Sequence, residues 1–234
     1  MINFLKQEFY GFNKFEKIFF PTILLLTAII SILTNDNKIA LISALAGMSY
    51  TILAGKGKIL CYFIGLTGTF CYCYIAYKNA LYGNLALYGL YFFPMQIIGI
   101  FAWIKHLKKE TREIIKTKLT QKERMIYGLI LTLLIILFAQ VLKSLNGNTP
   151  YIDSITTILS IFAQYLTIKR CIEQWYFWLI VNVLSLYMWI IAYLNNSNCL
   201  ATIIMWSVYT FLAIYFLIKW KKELAISNLD NNKL

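Results

Sequence analysis

The stretch Trp175-Tyr176-Phe177-Trp178-Leu179-Ile180-Val181-Asn182-Val183-Leu184-Ser185 carries no charge and runs on apolar to Leu194, long enough to cross a bilayer as a helix. At about 100° per residue, Trp175, Trp178, Asn182, Ser185 and Trp189 fall within an arc of about 80° and share one face. An amide at membrane depth costs free energy unless it finds a partner, and indoles beside it offer flat π surfaces. This face suits a planar molecule with hydrogen-bonding edges. It equally suits a Trp-rich packing seam whose Asn bonds a neighbouring helix.

The rest of the chain has the same character. Hydrophobic residues make up 60% of it, aromatic residues 17% and charged residues only 14%, which excludes a soluble domain. The expected fold is an all-α, polytopic membrane protein with eight transmembrane helices. They are drawn at about Phe19 to Leu33, Ile39 to Ala54, Ile59 to Tyr77, Leu85 to Ile104, Met125 to Leu142, Ile152 to Ile168, Trp175 to Leu194 and Leu200 to Ile218. Several fall short of the roughly 20 residues of an ideal span, so their ends lean on interfacial aromatics.

A net charge of +12 is compatible with nucleic-acid binding, but the placement of the charges argues against it. With a cytoplasmic N-terminus and eight crossings, both termini lie inside. Nineteen of the 22 Lys and Arg residues then fall on the cytoplasmic side, leaving only Lys38, Lys78 and Lys143 outside. Met1 to Lys17 mixes Phe4, Leu5, Phe9, Phe12 and Phe15 with charges and reads as an interfacial amphipathic helix, not a cleavable signal peptide. The expected division is an interfacial helix (1–17), an extra N-terminal span (18–38), a first repeat (39–104), a basic connector with a linker span (105–150), a second repeat (151–222) and a cytoplasmic tail (223–234). No metal or cofactor is expected. Cys71 and Cys73 point to different sides of a helix, and the single histidine, His106, has no second ligand at metal spacing.

The two sets of three spans resemble each other. Ile42-Ser43-Ala44-Leu45-Ala46 reads against Leu159-Ser160-Ile161-Phe162-Ala163, and Tyr62-Phe63-Ile64-Gly65-Leu66 against Trp175-Tyr176-Phe177-Trp178-Leu179. With a short insertion in the later loop, Trp103 falls opposite Trp220. Three spans per repeat is an odd number, so the fifth span restores the starting side and the repeats run parallel, a plan in which transporters place their site at the repeat interface. In this pairing Thr69 answers Asn182, Gly47 answers Gln164 and Gly65 answers Trp178. The small face Gly65, Gly68, Thr69 and Ala76 of the third span is expected to allow close approach of a ligand.

Span six aligns Thr157, Ser160, Gln164 and Thr167 in a polar stripe too regular to face lipid. Gln164 needs partners for two donors and two acceptors, from a ligand or from another helix. Span four aligns Phe92, Gln96, Gly99 and Trp103. Gln96 is a second amide candidate, although Pro94 frees a carbonyl that it could serve instead. Asp153-Ser154 after Pro150 reads as a helix N-cap. No Asp, Glu, Lys or Arg sits deep in a span otherwise, which favours passive movement of a neutral or delocalised-cation substrate over ion coupling.

Pro150-Tyr151-Ile152-Asp153-Ser154, Leu159-Ser160, and Lys169-Arg170-x-x-Glu173-x-Trp175-x-x-Trp178-x-x-x-Asn182-x-x-Ser185 together resemble the PnuC family of bacterial vitamin transporters. The likeness extends through Leu81-Tyr82-Gly83 and Tyr91-Phe92-Phe93 to Trp103. The resemblance implies a 3+1+3 parallel-repeat core similar to the sugar transporters called SWEETs, with an added N-terminal helix, trimeric assembly and a place in the bacterial inner membrane. It also implies facilitated diffusion of nicotinamide riboside, trapped by a cytoplasmic kinase, with thiamine and other vitamins or nucleosides carried by related branches. Trp175, Trp178 and Asn182 match the family's motif as substrate contacts, whereas Gln164 and Gln96 rest on the helical-face argument. An enzyme is not expected, because one histidine and so few buried acids assemble no nucleophile-and-base set. A non-transporting membrane scaffold is the alternative of a different class.

Overall fold

A computed structural model describes residues 8, 10–33, 38–78, 82–108, 111–145, 149–195 and 200–231. Among the described residues the ordered backbone is helical apart from two isolated bridges, Leu107 with Ile114 and Thr117 with Cys171. The helices are α1 (Lys14–Leu33), α2 (Lys38–Gly55), α3 (Leu60–Lys78), α4 (Tyr82–Ala86), a π-helical stretch (Leu87–Phe92), α5 (Phe93–Ile104), α6 (Gln121–Ser144), α7 (Pro150–Ile168), α8 (Gln174–Leu194) and α9 (Leu200–Asn231). Among the described residues seven helical runs are long and apolar enough to cross a membrane. Helix α7 is not among them, because Asp153, Ser154, Thr157, Ser160, Gln164 and Thr167 interrupt its apolar sequence.

Of the N-terminal interfacial helix expected over Met1 to Lys17, residues 1–7 and 9 lie outside the described residues. From Lys14 the chain already belongs to α1, earlier than the expected start at residue 18. Asn13 and Glu16 begin it with a reciprocal box: the Glu16 N–H donates to Asn13 Oδ1 at 2.7 Å, and the Asn13 N–H donates to Glu16 Oε2 at 2.9 Å. This N-x-x-E spacing is a helix-start signal that the charge-based boundary overlooked.

The chain divides into two compact units, residues 1–115 with 200–212, and residues 116–199 with 213–234. In the first unit α2 and α3 lie close together. A Cβ built at Gly68 would come within 2.9 Å of the Ala46 side chain, and Ser43 Oγ donates to the Gly68 carbonyl at 3.1 Å. At Gly68 the small face of the third span therefore admits the neighbouring helix. Pro94 has no N–H and its ring crowds the carbonyl four residues back. The backbone meets this with the π-helical stretch, in which the Phe93 N–H reaches Tyr88 O, one residue beyond α-helical spacing.

At one end of the first unit, the lysines between α2 and α3 are enclosed. Lys56 Nζ donates to Glu16 Oε2 at 3.0 Å and to the Gly11 carbonyl at 2.6 Å. Lys58 Nζ donates to the Thr111 carbonyl at 2.7 Å and pairs with Glu113, while Glu8 pairs with Arg112. Burial holds the Lys58 ammonium below its ordinary range, opposed by Glu113 and Glu8.

In the second unit Ser154 Oγ donates to the Ile135 carbonyl at 2.7 Å and ties α7 to α6. Leu131, Leu159 and Val181 bury one contact among α6, α7 and α8, and Leu119, Leu166 and Cys171 bury another. Asp153 is not the N-cap of α7. Thr149 holds that position and Pro150 follows it, so Asp153 sits in the first turn and accepts from Thr149 Oγ1 at 3.0 Å.

The α2–α3 turn and the α7–α8 turn share one hydrogen-bond pattern. In the first, N–H groups of Lys56, Gly57, Lys58, Cys61 and Tyr62 donate to carbonyls of Ile52, Ala54, Leu53, Lys58 and Ile59. In the second, Lys169, Arg170, Cys171, Gln174 and Trp175 donate to Tyr165, Thr167, Leu166, Cys171 and Ile172, the same five bonds shifted by 113 residues (57 to 170). Gly57 and Arg170 have φ of 69° and 62° and accept from Ile114 N and Thr117 N respectively, each at 3.0 Å. Carried into the helices, the shift of the turns sets Thr51 opposite Gln164 and Gly47 opposite Ser160, four residues from the register of the string match at Ile42–Ala46, a slip that an apolar helix permits at little cost. The pairing of Thr69 with Asn182 and of Gly65 with Trp178 keeps the shift of the turns.

Candidate functional site

In the second unit, Trp175, Asn182 and Ser185 of α8 are buried on one face, and Trp178 is half-buried. Trp189 departs from that face, being 38% exposed. Trp178 Nε1 donates a long 3.4 Å hydrogen bond to Thr167 Oγ1 of α7, whose own hydroxyl donates to the Ala163 carbonyl at 2.9 Å. Gln164, 2% exposed, lies one turn before Thr167 on the buried stripe of α7. The structure thus brings the amide stripe of α7 and the tryptophan face of α8 together.

Trp175 is 2% exposed and packs against Phe216 at a ring-centroid distance of 5.3 Å and edge-on against Trp220 at 5.8 Å. Its Nε1 has no hydrogen-bond partner among the described residues. Asn182 is only 6% exposed, and among the described residues no hydrogen bond joins its side-chain amide to another protein group. A packing seam would give this amide a partner on the next helix, whereas here its atoms are unbonded and not fully enclosed.

Gln96 belongs to the first unit. It is buried with Phe92, Gly99 and Trp103 on the face expected of it, and its Nε2 donates to Thr69 Oγ1 of α3 at 2.7 Å. That nitrogen goes to Thr69 and to no backbone carbonyl, so the carbonyl freed by Pro94 does not use the amide, and the Gln96 Oε1 is buried with no hydrogen-bond partner among the described residues. Tyr62, whose Oη is likewise buried without a partner, stands edge-on to Trp103 with centroids 4.9 Å apart. Each unit thus holds one such edge-on pair, Tyr62 with Trp103 in the first and Trp175 with Trp220 in the second.

Sequence reasoning missed three contributors. Thr69 was placed on the right face but not recognised as the partner of Gln96. Phe216 lies far along the chain from the Trp175 that it covers. Glu173 clamps the start of α8, accepting from Arg124 Nε and Nη2 at 3.1 and 2.7 Å and from the Leu119 N–H at 3.1 Å. The acid and base at positions 173 and 124 were visible, but nothing local joins them.

Buried amides and indoles, with seven helical runs among the described residues long and apolar enough to cross a bilayer, fit a multi-pass membrane protein with a polar interior face. A family model described as nicotinamide mononucleotide transporter matches residues 37–222. The chain is 30% identical over 222 residues to the nicotinamide riboside transporter PnuC of Neisseria mucosa, covering 93% of this chain and 84% of the relative. It is 30% identical over 227 residues to the protein of that name from Haemophilus influenzae, covering 96% and 97%. A crystal structure of the vitamin B3 transporter PnuC matches with a TM-score of 0.82 at 29% identity, covering 95% of this chain and 97% of the other. The chain belongs to the PnuC family of membrane transporters.

Proposed function

We propose that this protein is a uniporter that moves nicotinamide riboside across the bacterial inner membrane by facilitated diffusion, with uptake drawn forward by a cytoplasmic kinase that phosphorylates the cargo. The relatives that carry this substrate in their names match over nearly the whole chain. The observation that carries the reading is Asn182, an amide buried at mid-helix beside Trp178 with no protein group to satisfy it. A pyridinium ribonucleoside offers a flat cationic ring for indole and a carboxamide for an amide partner. In the second unit Trp178, Asn182 and Gln164 are the proposed contacts, with Trp175 reaching the substrate through its Nε1 because Phe216 and Trp220 pack against its ring. Gln96 is the proposed contact of the first unit.

The architecture proposed with it has eight crossings, a 3+1+3 parallel-repeat core behind the N-terminal span, both termini cytoplasmic, and three copies per assembly. The matched turns at Gly57 and Arg170 support the repeat, and the clustering of basic residues supports the orientation. Binding to purified protein tests the function, with nicotinamide riboside and thiamine compared by calorimetry and thermal unfolding. Nicotinamide riboside at about 100 times its Kd is expected to stabilise the fold by about 2.7 kcal/mol. Binding of thiamine alone would overturn the substrate, and stabilisation by neither would favour a scaffold.

A further inference from the structure

Thr69 and Asn182 occupy equivalent places on α3 and α8, yet only Thr69 is spent on a protein partner. The Gln96 amide is held by its nitrogen, since Nε2 donates to Thr69 Oγ1 at 2.7 Å. Its oxygen is buried without a hydrogen-bond donor among the described residues. Gly65 keeps a side chain away from that oxygen: a Cβ there would stand 2.8 Å from Gln96 Oε1 and 2.6 Å from the Tyr50 ring. A second polar oxygen, Tyr62 Oη, is also buried without a partner, its ring seated against Gly99, one turn along α5 from Gln96. Two unpartnered buried oxygens on neighbouring elements are costly to the fold unless something else meets them.

We infer that Thr69 is a positioning residue: by taking the Gln96 nitrogen it leaves the Gln96 oxygen as a fixed acceptor, which selects a ligand group that donates a hydrogen bond. This rests on the proposed function and deepens it. A carboxamide or a hydroxyl satisfies a fixed acceptor, whereas a carboxylate in the same place sets two acceptors against each other. Sites built around a buried hydrogen bond discriminate strongly against analogues that cannot make it.

The test compares nicotinamide riboside with the ribonucleoside in which a carboxylate replaces the carboxamide, by calorimetric titration of the purified full-length protein. Wild type is expected to favour the carboxamide by about tenfold or more. Thr69→Val, matched in shape but without the hydroxyl, is expected to lose about tenfold in carboxamide affinity and to bring the ratio toward one. Thr69→Ser should keep both affinity and ratio. Gln96→Met, which removes the acceptor and leaves Thr69 in place, should collapse the ratio in the same way and serves if Thr69→Val fails to fold. An unchanged ratio in Thr69→Val or Gln96→Met, a Thr69→Ser variant as poor as Thr69→Val, or a wild-type preference for the carboxylate would each overturn the inference while leaving the transport reading intact. Wild-type protein that binds neither nucleoside would overturn the proposed function, and this inference with it.

Discussion

Asn182 carries the functional reading on a single side chain. Its amide bonds no protein group among the described residues yet keeps some accessible surface, so a bound molecule with complementary edges can meet it without the fold depending on it. Removing the amide therefore penalises chiefly the loaded protein. Asn182→Ala is expected to lower uptake affinity about tenfold, while the yield of folded protein and its unfolding midpoint in detergent stay level or rise slightly. Parallel loss of folding and uptake would instead assign the residue to helix packing. The shared face of Trp175, Trp178 and Asn182 was legible because helical periodicity is a local property. What becomes of each side chain on that face is decided elsewhere. Trp175 meets Phe216 and Trp220 from a distant part of the sequence, and Gln96 finds Thr69 twenty-seven residues back. Long-range pairings of this kind leave no periodic trace.

The matched turns argue for the proposed repeat more strongly than the helices do. Apolar helices score well against each other at several registers, which is why the strings around Ala46 and Ala163 match four residues from the register of the turns. Turns are polar, closed by specific backbone bonds, and tolerate no such slip. Both need a left-handed residue, Gly57 in one and Arg170 in the other, and the two are not equally replaceable. A Cβ at Gly57 would lie 2.8 Å from Ile114 Cγ1 and 3.3 Å from the Ile114 nitrogen that donates to Gly57 O. Gly57→Ala is thus expected to destabilise by about 1–3 kcal/mol, from positive φ and the displaced connector together, and to lower the unfolding midpoint by several degrees. Arg170→Gly, which removes a left-handed side chain, should change stability by less than about 1 kcal/mol. Equal effects of the two substitutions would mean that the turns are alike in outline only. The π-helical stretch before Pro94 was legible only as a weak point, since sequence marks where an α-helix fails but not which backbone replaces it.

Across the whole molecule, the basic excess was read only for the side of the membrane it marks, and it also builds structure: Lys56 and Lys58 are buried against Glu16, Glu8 and Glu113, and Arg124 is held by Glu173. Counting charges located the ends of the helices but could not reveal which charges pair, because the partners come from separate segments. The same pairing bears on how transport is driven. Of the acids in the described residues, Glu8 precedes α1, Glu16, Glu123 and Asp153 stand in first turns, Glu113 lies in the connector, Glu173 precedes α8, and Glu223 is engaged by Lys116 late in α9. Among the described residues none sits at mid-helix, where a proton carrier would have to load and release within the span. Asp153, nearest to that role, accepts from Thr149 in the first turn of α7. Uptake into proteoliposomes preloaded with a nucleoside-phosphorylating kinase and ATP is therefore expected to stay within about twofold when a protonophore collapses the proton gradient. Asp153→Asn should keep the same rate, since the neutral side chain can still accept from Thr149. A large loss in either experiment would make Asp153 a coupling residue and the protein a proton-linked carrier; retained uptake in both would leave phosphorylation of the cargo as the step that makes entry one-way.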